Sequence, residues 1–130
     1  VHGVQVRPGK PTILAVCDGK PVIGLPGNPV SALVIAGIFV KPVVKRLLGE
    51  IEKNISPTIK AHLLGNIPSL AGRDDWVPVS LFKDMGIWKA EPIHFKSNLI
   101  FNLVKADGLV HIPADVTGLS AGSLIEVELI

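Results

Sequence analysis

Arg7 and Lys10 flank a Pro-Gly step, and Asn28, Pro29 and Ser31 stand where the surrounding pattern marks the start of a helix. Cationic side chains, a hydroxyl and unpaired backbone N–H groups are what binding of phosphate or another tetrahedral oxyanion asks for. In Gly24-Leu25-Pro26-Gly27-Asn28-Pro29-Val30-Ser31 the Asn28 side-chain oxygen can accept from the N–H groups of the first helical turn. Pro29 falls at the first helical position, where a missing N–H costs nothing. Ser31 lies in the same turn, beside unpaired donors and the positive end of the helix dipole, a place that suits an anion. The same residues also describe a well-built strand-to-helix connection next to a turn with two solvated charges. Spacing alone leaves both readings open.

Other residues offer less chemistry. His2, His62, His94 and His111 are scattered, with no i, i+4 pair and no cysteine at ligand spacing, so the pattern gives no metal site. Asp74 and Asp75 follow Arg73 directly; a paired-carboxylate role is one reading and a polar turn with local salt bridges is the simpler one. Ser31 has no histidine nearby in sequence to make it a nucleophile. Neither GxxxxGK[ST] nor GxGxxG occurs.

The elements that must position the two loops can be read in order. Val4-Gln5-Val6 alternates and runs into Arg7-Pro8-Gly9-Lys10-Pro11, where Pro8-Gly9 predicts a type II turn. Thr12 to Cys17 reads as a buried strand, with Cys17 as a small apolar residue within it. Asp18-Gly19 is a hairpin signal, and Val22 to Leu25 is the returning strand. If these strands pair, both loops lie near one end of the sheet. The segment from Pro29 to Leu48 then carries Leu33, Ile35, Ala36, Phe39, Val40, Val43, Val44, Leu47 and Leu48, which wrap most of a helical circumference. Pro42 predicts a bend or a break, and Gly49, after Lys45 and Arg46, predicts the stop.

Residues 50–57 read as a linker. Beyond them the pattern becomes short strands punctuated by Gly and Pro: Thr58 to Leu63, Trp76 to Leu81, Ile87 to Ile93, Gly108 to Ile112 and Leu124 to Ile130, with Gly118 and Gly122 in turns. Phe95 to Lys105 mixes periodicities and reads as a short helix or an irregular crossing. The expected organisation is an α/β piece over residues 1–49, the linker, and a small all-β, sandwich- or barrel-like piece over residues 58–130.

With 130 residues, 48% of them hydrophobic, the chain can bury a core, and the composition argues against disorder. A net charge of +2 without basic runs gives no footprint for nucleic acid. Cys17 is the sole cysteine, which fits a reducing compartment and hence the cytoplasm. The most apolar segment, Val30 to Val44, is interrupted by Gly37, Lys41 and Pro42 and is too short to span a bilayer. The chain opens on Val1 in the manner of a mid-strand, which leads us to expect a fragment of a longer protein.

Arg7-Pro8-Gly9-Lys10-Pro11 and Gly24 to Ala32 together resemble the paired PGKP and LPGNPVSA signatures of the MoeA/gephyrin family, the molybdopterin molybdenumtransferases. Ala106-Asp107-Gly108-Leu109-Val110-His111-Ile112-Pro113, Leu119 to Gly122 and Ile125 to Leu129 resemble the end of that family's C-terminal β domain. The blocks agree in order and spacing over nearly the whole chain. The resemblance implies the closing part of a molybdopterin-binding α/β domain followed by a C-terminal barrel-like domain. It also implies insertion of molybdate into adenylylated molybdopterin with release of AMP, Mg²⁺ assistance, and a homodimer. In site terms it implies that Lys10 and Ser31 act at the molybdate and pterin phosphate, with Arg7 standing where a lysine is usual. Gly27 and Asn28 line the same loop, and Arg73 and Ser97 correspond to contributions from the C-terminal domain. Trp76 stands where phenylalanine or tyrosine is more common. The family's acidic metal-binding residues belong to a part that these residues do not resemble, so this stretch is expected to be inactive alone. Gephyrin-like relatives imply an alternative, a non-catalytic scaffold or dimerisation module.

Overall fold

The computed structural model describes residues 1–51, 56–94 and 104–130. The chain divides into two compact units, Val1–Ile55 and Ser56–Ile130. In the first unit the strands are β1 (Val6–Arg7), β2 (Ile13–Cys17) and β3 (Lys20–Gly24). β2 and β3 pair antiparallel, with Leu14 opposite Ile23 and Cys17 opposite Lys20. Asp18 and Gly19 make the turn between them with φ of 49° and 72°, as a two-residue hairpin with the twist of its strands requires. The opening residues run along the other edge of β2: Gly3 N–H donates to the Thr12 carbonyl at 2.8 Å and Leu14 N–H to the Val1 carbonyl at 2.9 Å.

The expectation of a buried strand at Thr12 to Cys17 is corrected. Thr12 is buried and Leu14 half-buried, but Ile13, Ala15, Val16 and Cys17 are exposed. A continuous apolar run reads as covered on both faces, whereas a two-stranded hairpin has too few neighbours within this unit to cover both.

The helical segment is split, as Pro42 requires. It consists of α1 (Pro29–Ile35), a wide π-helical turn (Ala36–Val40) and α2 (Lys41–Leu47). In a straight α-helix the Pro42 ring would strike the carbonyl four residues back and leave it unbonded. The wide turn shifts the ladder just before it, and Lys41 N–H reaches the Ala36 carbonyl five residues back. α2 ends where Gly49, with φ of 86°, lets the chain reverse. Gly49 N–H then bonds the Arg46 carbonyl at 3.1 Å and Glu50 N–H the Lys45 carbonyl at 3.0 Å, a Schellman closure. Val30, Val34 and Ile35 are buried, while Leu33, Val44, Leu47 and Leu48 are exposed, so only one side of the segment is covered within this unit.

The second unit contains β4 (Thr58–Leu63), β5 (Ile67–Pro68), β6 (Asp74–Asp84), β7 (Ile87–Pro92), β8 (Gly108–Ile112), β9 (Gly118–Leu119) and β10 (Leu124–Leu129). The order β6-β7-β4-β10-β8 returns to β6 and closes a five-stranded barrel. β6 makes the closure possible by its length. Its first half, Asp75 to Val79, pairs with β8, and its second half, Val79 to Asp84, pairs with β7. Alternate side chains fill the barrel: Ala61, Leu63, Val79, Ala90, Val110, Ile112, Ile125 and Val127, with Ile67. The expected strand from Trp76 is therefore longer, and Asp74 and Asp75 lie inside it and not in a turn. Gly118, expected in a turn, belongs to the two-residue ladder of β9 with β5, which is too short to show a period. Most of Phe95 to Lys105 lies outside the described residues.

Candidate functional site: two anion-competent loops

Asn28 caps α1 as its position predicts. Its Oδ1 accepts from Val30 N–H at 3.0 Å and from Ser31 N–H at 3.3 Å. Pro29 occupies the first helical position. Ser31 is half-buried one residue beyond Val30. Gly27 is exposed, outside the left-handed region, and a Cβ there would meet nothing within 4 Å. Neither backbone conformation nor packing within the described residues accounts for glycine at position 27. Replacing Asn28 by Ala is expected to cost about 1 kcal/mol in chemical denaturation, whereas Asp, an equally good cap, is expected to leave stability unchanged.

The Arg7–Pro11 loop differs from the expected type II turn. The Arg7–Pro8 peptide is cis, and Gly9 has φ of 135°. The hydrogen-bonded turn spans Gly9 to Thr12 instead, because two donors of Thr12 converge on one acceptor. Its N–H reaches the Gly9 carbonyl at 3.1 Å and its Oγ1 at 2.6 Å. Thr12 is fully buried, and no spacing rule singled it out. Val4 N–H donates to the Lys10 carbonyl at 3.0 Å, which fixes the loop from its other side. Gly9 is buried against α1: a Cβ on it would lie 2.3 Å from Ile35 Cδ1.

That close approach orders the first unit's candidate residues. Ile35 stands four residues after Ser31, so both lie on one face of α1, one turn apart. Helical side chains lean toward the N-terminus, so Ile35 reaches back over the turn that Ser31 begins. The backbone between Arg7 and Lys10 is thus seated on the Ser31 face. The side chains of Arg7 and Lys10 are exposed.

In the second unit, Arg73 precedes β6 and bonds to Asp75, with Nε 3.0 Å from Oδ1. The other carboxylate oxygen, Oδ2, accepts from Ser69 Oγ at 2.9 Å. Asp75 is 2% exposed. On the outer side of β6 and β8, His111 Nε2 lies 2.7 Å from Asp74 Oδ1, and the His111 ring stacks on Trp76 at 4.6 Å between centroids. Asp75 thus makes the local ion pair that the simpler reading expected, although from a strand, whereas Asp74 meets His111, 37 positions further along the chain. Ser97 lies outside the described residues. Among the described residues no group of three His, Cys, Asp or Glu could hold a metal ion, and no helix is long and apolar enough to cross a membrane.

A split hairpin-and-helix unit carrying a basic loop and a helix-start loop is followed along the chain by a closed five-stranded barrel, an α/β piece and then a small all-β domain. Residues 1–46 match the family described as the probable molybdopterin binding domain, and residues 60–130 match the MoeA C-terminal region, domain IV. The chain belongs to the MoeA family of molybdenum cofactor biosynthesis proteins. It is 37% identical over 131 residues to a Methanocaldococcus jannaschii protein named for molybdopterin biosynthesis. It is 33% identical over 129 residues to the molybdopterin molybdenumtransferase of Nostoc. These matches cover 100% and 94% of this chain but 29% of each relative. A crystal structure of a molybdopterin biosynthesis MoeA protein from Pyrococcus horikoshii superposes with a TM-score of 0.82 at 40% identity, over 99% of this chain and 31% of that one. A molybdenum cofactor biosynthesis protein from Pyrococcus furiosus gives 0.81 at 31% identity, over 99% and 44%. The chain therefore spans about a third of the length of the curated relatives it matches.

Proposed function

We propose that these residues supply anion-contacting elements to a molybdopterin molybdenumtransferase, which inserts molybdate into adenylylated molybdopterin and releases AMP. Lys10 and Ser31 contact the oxyanion, molybdate or the pterin phosphate, at the point of transfer. Arg7 adds charge, and Gly27 and Asn28 let the loop backbone come close to the ligand. Arg73, and Ser97 by its place in the family pattern, serve a pterin or phosphate group. The observation that carries the reading is the seating of Gly9 on Ile35, which holds the Lys10 backbone against the face of α1 that bears Ser31. Glycine at position 27, unexplained by fold or conformation, is the second support: it leaves the loop open on the side of the helix start.

Donors of this kind lower the barrier by meeting negative charge where it gathers, in geometry set before the ligand arrives. The cations and the hydroxyl orient tetrahedral molybdate, and the exposed Asn28 end of the helix adds fixed partial positive charge. Molybdate is substrate here. Mg²⁺ does not fit the described residues: no acidic group is assembled for it, Asp75 is engaged by Ser69 and Arg73, and Asp74 faces His111. No step is assigned through that ion. A cytoplasmic homodimer is the assembly we propose for the working enzyme.

The test is Lys10→Ala with Ser31→Ala in the enzyme that carries this chain. Molybdate-dependent cofactor formation is expected to fall at least about 100-fold, the scale of losing a preorganised oxyanion donor, with the unfolding midpoint unchanged. Ordinary activity in that double variant overturns the assignment. Asn28→Asp adds a discriminating arm: it keeps the cap but sets a negative charge at the anion, so activity is expected to drop while stability holds.

A further inference from the structure

We propose that Asp75, itself fixed by Ser69, is a positioning residue for Arg73. It holds the guanidinium in one orientation so that the remaining N–H donors meet an anionic group. The inference rests on the reading of Arg73 as an anion contact and deepens it. Asp75 is a poor candidate for a ligand contact of its own. Its side chain is 3% exposed, whereas that of Arg73 is 30% exposed, so the accessible part of the pair belongs to the arginine. A buried carboxylate must be compensated, and here each oxygen has a separate donor: Arg73 Nε on Oδ1 and Ser69 Oγ on Oδ2. The two donors come from either side of a short stretch of chain, Ser69 to Arg73, that is itself tied down. Ser69 N–H donates to the Thr117 carbonyl at 3.0 Å and Gly72 N–H to the Ala114 carbonyl at 2.7 Å. Asp75 lies in β6 opposite the fully buried Ile112, so the carboxylate is carried by a strand paired into the closed barrel.

Arginine has five N–H donors in a planar fork. With Nε spent on Asp75, four remain on the terminal nitrogens. A long side chain normally loses rotamer freedom when it grips a ligand, and that loss weakens binding. A guanidinium already pinned at Nε has lost much of it on folding. The carboxylate thus acts on affinity through Arg73, and Ser69 acts through the carboxylate. A purely structural role predicts a different outcome: the bonds would serve only to compensate the buried carboxylate, and ligand affinity would not depend on Asp75.

The experiment uses the full chain with inorganic phosphate as the probe, since the reading gives Arg73 a pterin or phosphate group. Phosphate affinity is measured by calorimetry on Asp75→Asn, Ser69→Ala and Arg73→Ala, and the ¹⁵N heteronuclear NOE of the Arg73 Nε–Hε group on the wild type, Asp75→Asn and Ser69→Ala. Asp75→Asn is expected to lower the NOE toward that of a mobile side chain and to weaken phosphate binding about tenfold, the scale of one hydrogen bond to a charged group. Ser69→Ala should move both readouts in the same direction by less. It leaves the Asp75–Arg73 pair in place, so it serves as the test if Asp75→Asn fails to fold. Unchanged affinity in Arg73→Ala, with a lowered NOE but unchanged affinity in Asp75→Asn, overturns the proposal by removing the anion contact on which it rests. Lost affinity in Arg73→Ala but wild-type NOE and affinity in Asp75→Asn and Ser69→Ala overturns the positioning role alone.

Discussion

Gly9→Ala is expected to destabilise the first unit by about 2–5 kcal/mol, combining overpacking of a filled site with strain at positive φ. The added Cβ would lie 2.3 Å from Cδ1 and 2.5 Å from Cγ1 of Ile35. Ile35 is completely buried, so its side chain has no open direction in which to retreat. Gly9 also has φ of 135°, a conformation that side chains rarely adopt. Because the obstacle is a side chain, the steric part can be relieved. In a double-mutant cycle, Ile35→Ala should recover about 1–3 kcal/mol of the Gly9→Ala loss, leaving the φ contribution. Chemical denaturation of the four variants reads the coupling directly. Additive effects would show that Gly9 does not press on Ile35. The loop would then not be held on the Ser31 face, and the proposed contact by Lys10 would lose its geometric support.

What could be read from the residues was what the backbone decides locally. Asn28 and Pro29 announce the helix start, Asp18-Gly19 the hairpin, Pro42 the split and Gly49 the stop, because each acts on hydrogen bonds within a few residues of itself. The barrel-like second piece was legible from strand length and spacing. What escaped depends on partners distant in sequence. Thr12 looks like one strand residue among several, and only its buried bonds to the Gly9 carbonyl reveal why a polar residue sits there. Gly9 gives no sign of its contact with Ile35, which is 26 positions away. Asp75 read as half of a polar turn because charges usually end a strand. Ser69 and Arg73 make its burial tolerable, so β6 starts two residues before Trp76. β2 failed in the opposite sense, since an apolar run says what a strand could bury and not what its own unit has available to cover it. The candidate site was legible as residue types and through the family pattern, while the close approach of Gly9 to Ile35 and the bond from Arg73 to the buried Asp75 were not.

Gly108→Ala is expected to be as damaging to the barrel, but without rescue. Gly108 opens β8 where that strand is paired on both sides, opposite Val79 of β6 and Leu129 of β10. A Cβ at this position would lie 2.4 Å from Val127 Cγ1 and 2.6 Å from the Glu128 carbonyl oxygen. Val127 could be trimmed, but the carbonyl is backbone of β10 and can move only if the β8–β10 seam opens. That seam is one of the five that close the barrel, and separating it would admit water to a core whose Val79 and Val127 are completely buried. We expect a loss of about 3 kcal/mol, near the upper end for overpacking. In a domain of this size that corresponds to a fall of roughly 10–20 °C in Tm. Adding Val127→Ala should lower stability further, because it leaves the backbone clash and opens a cavity. This sign is the reverse of that expected for Ile35→Ala beside Gly9→Ala, and thermal unfolding of the single and double variants distinguishes the two cases. Recovery of stability in the Gly108→Ala, Val127→Ala protein would mean that the strand seam has room to give and that side-chain crowding, not backbone approach, requires glycine there.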